Sequence, residues 1–291
     1  MFIDIHCHLQ KDKGVPRMGL SPFVSPSELL DIFHAEGIDK GVILPIIGPE
    51  CYEPQSNEEV LQICEKFPEK FIPFCNIHPR AIDNDPKSDF SPLLDYYKER
   101  GCKGFGEITA NLPMNSPLVE NLFSHIEKSG LPTTIHISFK DKNTYGLIDK
   151  PGLPGLDKTL ERFPDLVILG HSGNFWSEID DYDYSTVEER GFYPKGKITK
   201  EGAVPKLLRK YKNLRGDLSA GSGYNAMARD EEYAIKFLNE FQDQLYYGND
   251  VCTPGSKPQL GQFLKRLRKE NKISPTVFNK ITHDNGEEII R

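Results

Sequence analysis

Long apolar runs are missing from this chain of 291 residues. No segment approaches the ~20 consecutive apolar residues of a membrane-spanning helix, so a helical membrane protein is not expected. Positive charge is short as well. The formal net charge of -7 argues against nucleic acid or an anionic membrane surface as partner. The basic runs Lys206–Lys212 and Lys265–Lys272 read as solvated helix faces. Six cysteines are present, but none forms a Cys-x-x-Cys pair or a zinc-knuckle spacing. Several lie inside apolar stretches, as buried free thiols do, so the cytoplasm is the expected compartment. The first strand begins at residue 2, which predicts no signal or transit peptide. No Gly-x-Gly-x-x-Gly follows that strand, which weakens a dinucleotide-binding reading. No Gly/Ser-rich linker or low-complexity tract divides the chain, so residues 1–291 are expected to form one domain.

What is present is a repeating unit of helix, glycine stop and short apolar strand. Ser25-Pro26-Ser27-Glu28 has the N-cap, N1 proline and capping-box glutamate of a helix start, and Gly37 supplies its stop. The strand Gly41–Leu44 follows. The same alternation places strands at Phe71–Cys75, Lys103–Gly106, Thr133–Ile135, Leu166–Leu169, Leu214–Leu218 and Leu245–Tyr247. Helix-linked strands of this kind run parallel, and eight of them predict an α/β fold, a (β/α)8 barrel. An open doubly wound sheet is the rival.

The chemistry collects at the strand ends. In Ile3-Asp4-Ile5-His6-Cys7-His8 the period of two predicts a strand with His6 and His8 on one face, together with Asp4. Two hydrogen-bonded histidines at a strand end would read the same, so the rest of the chain decides. Strand four ends in Glu107, strand five in His136, strand six in His171 and strand eight in Asp250. A barrel brings all these ends to one mouth. Six imidazoles and carboxylates there suit a divalent metal, most simply Zn2+, with Mn2+ or Fe2+ also compatible, as one ion or two. Such an ion lowers the pKa of its water from about 15.7 to near 7 and polarises the oxygen of the group under attack.

These residues resemble the amidohydrolase superfamily. The wording around them, Gly170-His171-Ser172-Gly173, Gly216-Asp217-Leu218-Ser219-Ala220-Gly221-Ser222-Gly223 and Gly248-Asn249-Asp250, is similar to its amidohydrolase-related, or family 2, branch. The likeness runs nearly the whole chain. Asn249 departs from the usual Ser or Thr before the aspartate. The resemblance implies two site designs. In one, His6, His8, His136 and Asp250 hold a single metal and His171 is an acid/base group. In the other, Glu107 bridges two metals and His136 and His171 serve the second. It also implies that Asp250 both binds metal and moves a proton.

Arg80, in Ile77-His78-Pro79-Arg80, is a candidate for binding a substrate carboxylate or phosphate. The segment Asn174–Pro194 carries Phe175, Trp176, Tyr182, Tyr184, Phe192 and Tyr193 and reads as a lid, a rim packing or a dimer contact, with Trp176 the candidate substrate contact. Tyr145, Asp217 and Tyr224 also fall near strand ends. His34, His125 and His283 lie in helices and carry no functional expectation. The expected activity is hydrolysis of an ester, lactone, amide or phosphoester of a small molecule. A non-oxidative decarboxylase of an aromatic or unsaturated acid is the alternative, and a non-catalytic ligand-binding barrel is a third. Glu107 favours the hydrolase. The substrate's identity and the oligomeric state, including a homo-oligomer, stay open.

Overall fold

The computed structural model describes residues 1–16, 21–51, 55–181 and 193–291. Eight parallel strands follow one another in chain order: β1 (Ile3–Cys7), β2 (Lys40–Ile43), β3 (Phe71–Pro73), β4 (Phe105–Ile108), β5 (Thr133–Ser138), β6 (Ile168–His171), β7 (Leu214–Asp217) and β8 (Leu245–Tyr246). β1–β3 form one ladder and β4–β8 another, and a two-residue strand, Leu147–Ile148, adds to the end of β5. Single parallel bridges join the ladders at both seams, Cys75 with Phe105 and Cys7 with Val251. Backbone hydrogen bonds cross the same seams: Gly106 N–H to Cys75 O at 2.8 Å, and Asp250 N–H to His6 O at 2.9 Å. The strands therefore form the expected (β/α)8 barrel.

Helices cover the outside, and local sequence sets their ends. The helix Pro26–Glu36 opens on the Ser25/Glu28 capping box and closes on Gly37 at φ 72°. Gly130, also at φ 72°, ends the helix Pro117–Ser129. Outward-facing strand residues such as Cys7, Ile43, Phe105, Ile135, Ile168 and Leu214 pack with these helices. Inside, Ile3, Ile5, Val42, Leu44, Phe74, Leu169 and Tyr246 form a smaller cluster with Ile290. The C-terminal helix Asn285–Ile289 closes on this cluster at the start of β1. A methyl group on Gly286 would meet Ile3 at 3.1 Å. Among the described residues no helix is long and apolar enough to cross a membrane.

Two strands depart from simple alternation, and both departures place functional groups. Between Asp4 and Cys7 β1 advances three residues while β2 advances two, from Gly41 to Ile43. Between Phe105 and Ile108 β4 does the same against Thr133 and Ile135 of β5. An extra residue in one strand is a β-bulge, which re-aims the side chains after it. Ile5 and His6 therefore both turn inward, and Cys7 turns out. The expectation that Asp4 shares the face of His6 and His8 is corrected here. Asp4 binds the backbone N–H of His6 and of Asn249 and the Asn249 side-chain amide, at 2.8–3.1 Å. Its carboxyl is pushed up to about 7 by burial, partly offset by those N–H groups. In β4 the bulge turns Glu107 inward although Phe105 and Ile108 both face the helices. Gly106 is required there: a Cβ would stand 2.4 Å from the carbonyl oxygen of Thr134.

Candidate active site

The inward residues at the strand ends meet in one buried cluster. His6, His8, Glu107 and His171 are each at most 3% exposed. The Nε2 atoms of His6 and His8 lie 3.0 Å apart. Glu107 Oε2 is 3.7 Å from His6 Nε2 and 3.4 Å from His8 Nε2. Asp250 Oδ1 is 3.7 and 3.6 Å from the same two nitrogens. His171 Nε2 stands 3.8 Å from Glu107 Oε1 and 3.8 Å from Asp250 Oδ2. Two groups of ligand atoms are mutually close, His6/His8/Asp250 and His6/Glu107/His171, each within 4.8 Å. His136 enters differently, through a 2.7 Å hydrogen bond from Nδ1 to Glu107 Oε1.

The outer hydrogen bonds fix which atoms face inward. His6 Nδ1–H donates to Asp217 Oδ2 at 2.6 Å, and His8 Nδ1–H to the Leu44 carbonyl at 2.8 Å. A histidine committed at Nδ1 presents a lone pair at Nε2, the arrangement that metal-binding histidines have. Here two such lone pairs converge with two carboxylate oxygens. Electron-rich atoms packed this closely require positive charge among them. Burial works against charge on His6, but Asp217, Asp250 and Glu107 outweigh it and hold the imidazole well above its usual range. Glu107 is also buried, yet His136, His6 and His8 hold it well below the usual carboxylate range. His171 is pushed down to about 4, by burial and by the cationic His6. The donor set, nitrogen and oxygen with Asp217 and the Leu44 carbonyl already bound behind the two imidazoles, fits a divalent metal.

Above the cluster opens a cavity of about 670 Å3. His136, His171 and Asp250 line it, with Glu50, Asn143, Thr144, Tyr145, Ser172, Asn174, Tyr193 and Ser222 among the other walls. A larger groove, about 950 Å3, lies elsewhere, along Glu28–Glu36 and Pro254–Arg266, and contains Tyr224 but none of the clustered residues.

Two expected substrate contacts are not brought to this cavity. Arg80 is exposed and does not line it. Trp176 is 1% exposed and belongs to the core. It sits in a short helix, Gly173–Ser177, and its indole N–H donates to the Asp217 carbonyl at 2.7 Å. Phe175 is equally buried, whereas Tyr193 is exposed and lines the cavity. Tyr182, Tyr184 and Phe192 lie outside the described residues.

The sequence reading left several partners without a role. Asp217, read only as near a strand end, is wholly buried behind His6. Ser219 Oγ is 2.9 Å from His171 Nδ1. Asn76 donates to the Glu107 carbonyl at 2.6 Å and to Pro45 O at 3.1 Å, tying β4 to the loop after β2. Asp217 and Ser219 stood in the quoted Gly216–Gly223 motif, so a signal for them existed. Asn76 and Glu50 had none.

No family model and no curated protein sequence matches this chain. Solved structures do. An uncharacterized TIM-barrel protein from Bordetella bronchiseptica is 16% identical, with a TM-score of 0.67 over 99% of this chain and 97% of that one. A probable 2-pyrone-4,6-dicarboxylic acid hydrolase from Acinetobacter baumannii, with citric acid bound, is 14% identical, with a TM-score of 0.58 over 99% and 98%. A 5-carboxyvanillate decarboxylase from Novosphingobium aromaticivorans, complexed with manganese and a nitrobenzoic acid, is 15% identical, with a TM-score of 0.58 over 90% and 79%. The chain thus has a TIM-barrel fold whose structural neighbours include both hydrolases and decarboxylases.

Proposed function

We propose that this protein is a metal-dependent hydrolase of the amidohydrolase type. The observation that carries the reading is the convergence of His6 Nε2, His8 Nε2, Glu107 Oε2 and Asp250 Oδ1, with contacts of 3.0–3.7 Å, while both Nδ1 atoms are engaged behind. His6, His8 and Asp250 would hold one divalent ion. Glu107 and His171, with His136 reaching the cluster through Glu107, would serve a second. Zn2+ suits this nitrogen and oxygen set, and the manganese-bound neighbour supports Mn2+ as well. When bound, such an ion lowers the pKa of a coordinated water toward ~7 and polarises the carbonyl under attack. Asp250 reaches both the cluster and the cavity, so it can take a proton from water and pass it to the leaving group. His171, at the cavity wall, orients the substrate oxygen or shares that proton transfer.

Decarboxylation is the second reading, since neighbours of this fold carry that name. Hydrolysis is favoured by Glu107, whose Oε2 lies 3.7 and 3.4 Å from the Nε2 atoms of His6 and His8, where a carboxylate could serve two ions. The test is elemental analysis of purified protein, followed by screening of the metal-loaded enzyme on esters, lactones, amides and aromatic acids. Acid release without CO2 is expected. A protein that stays metal-free after incubation with zinc or manganese sinks the metal reading, and CO2 release replaces hydrolysis with decarboxylation.

A further inference from the structure

His171 is 2% exposed, and its two ring nitrogens meet different surroundings. Nε2 faces Glu107 Oε1 and Asp250 Oδ2, each at 3.8 Å and beyond hydrogen-bonding distance. Nδ1 lies 2.9 Å from Ser219 Oγ and 3.5 Å from Asp217 Oδ2. A neutral imidazole carries one ring proton. On Nε2 that proton would have no protein acceptor within hydrogen-bonding distance, and the Nδ1 lone pair would face the Asp217 carboxylate. On Nδ1 it has an acceptor in Ser219 Oγ and a negative charge beside it. Nδ1 is therefore the favoured seat, with the serine oxygen accepting.

Sequence and packing both commit Ser219 to this contact. Asp217 and Ser219 alternate with Leu218 at the end of β7, so the two polar side chains turn inward while Leu218 packs among the helices. Ser219 is also the N-cap of the helix Ala220–Ala228, with extended backbone at φ -68° and ψ 172°. The N-cap serines Ser25, Ser56 and Ser274 each accept a backbone N–H three residues on. Ser219 makes no such bond, and its hydroxyl is left to His171. The helix thus gives up a stabilising cap. The serine is wholly buried and has little room to move. Its N–H donates to Asp217 Oδ1 at 2.9 Å, and its carbonyl accepts the Gly223 N–H at 3.3 Å. The backbone of Gly248, just after β8, presses on it from another side: a Cβ there would stand 2.9 Å from Ser219 Cβ.

We propose that Ser219 is the positioning residue of His171: its oxygen holds the Nδ1 proton, so that Nε2 turns its lone pair toward Glu107 and Asp250. Asp217 then backs two histidines, His6 by a direct bond and His171 alongside Ser219. A ring held this way accepts at Nε2, as a metal ligand does, and has no proton there to donate as an acid. The proposal rests on the metal-dependent reading for the word ligand, whereas the seat of the proton is tested without metal. The first measurement is long-range proton–nitrogen NMR of chelator-treated protein with isotope-labelled histidine, at about pH 8, above the ordinary imidazole range. The His171 signals are those absent from His171→Asn. In wild type Nδ1 should carry the proton and Nε2 none. In Ser219→Ala the two nitrogens should share it. The second measurement is zinc competition. Ser219→Ala should weaken, by about 10- to 100-fold, the ion that His171→Asn also weakens. It should cost nothing more in the His171→Asn background. A protonated Nε2 in wild type, an unchanged proton seat in Ser219→Ala, zinc binding indifferent to His171→Asn, or an equal zinc loss in both backgrounds would overturn the proposal. The wild-type spectrum decides by itself should Ser219→Ala not fold. A protein that takes up no zinc fails the hydrolase reading by elemental analysis and leaves the spectra to decide Ser219.

Discussion

Replacing Asp217 with asparagine tests whether the buried partner of His6 tunes metal binding. The carboxylate touches nothing outside the protein: it takes the His6 Nδ1–H at 2.6 Å and the Ser219 N–H at 2.9 Å, and it stands 3.5 Å from His171 Nδ1. Asparagine can keep the His6 bond through its carbonyl, so ring orientation should survive, but its NH2 then faces the Ser219 N–H and that bond is lost. What is lost is the negative charge that makes Nε2 a stronger base. Loss of a carboxylate that backs a metal-binding histidine typically costs about 10- to 100-fold in metal affinity, or roughly 1.4–2.7 kcal/mol. The same charge also strengthens the proton that competes for His6, whose pKa it holds up against burial. Removing it lowers both affinities. The penalty for metal should therefore be full where His6 is already deprotonated and should shrink as pH falls through the wild-type His6 pKa. The assay is zinc competition with a chromophoric chelator over a pH series that rises from ~6 until the wild-type affinity stops increasing, where His6 no longer takes a proton. Circular dichroism confirms the fold. An affinity within twofold of wild type at the top of that range, or a penalty that grows toward acid, would refute the reasoning.

Three further outcomes follow from the same geometry. Asp250→Asn should retain most metal yet lose about 10²–10⁴-fold in turnover; single-turnover kinetics on the metal-loaded variant would remove the proton-transfer role if the rate stayed near normal. Glu107→Gln should lower the saturating metal count from two toward one per chain, because the oxygen shared by His136 and His171 loses its charge, and an unchanged count by elemental analysis refutes the bridging role. Gly216→Ala would place a Cβ 2.9 Å from Leu245 and 3.0 Å from Trp176. Overpacking should destabilise the fold by about 1–3 kcal/mol, read as a lower urea midpoint, and an unchanged midpoint would mean that Trp176 is free to move.

Much of this protein was legible in the residues themselves, because the deciding interactions are local. A capping box at Ser25–Glu28 and a left-handed Gly37 involve atoms a few bonds apart, so sequence predicts them and the structure keeps them. Helix-linked apolar strands allow few arrangements, and in a barrel every strand end points to one mouth. Thus His6, His8, Glu107, His136, His171 and Asp250 could be expected together before any distance was known. Tertiary structure decided which atoms meet. The bulges in β1 and β4 depend on pairing with neighbouring strands, so local periodicity put Asp4 on the wrong face and could not show that Glu107 turns inward. Trp176 reads as a mouth residue by position, but Gly216 leaves room for its ring beneath the site. Glu50 has no motif at all. Its place on the cavity comes from a loop fastened to Asn111, far along the chain, and only the folded barrel brings the two together.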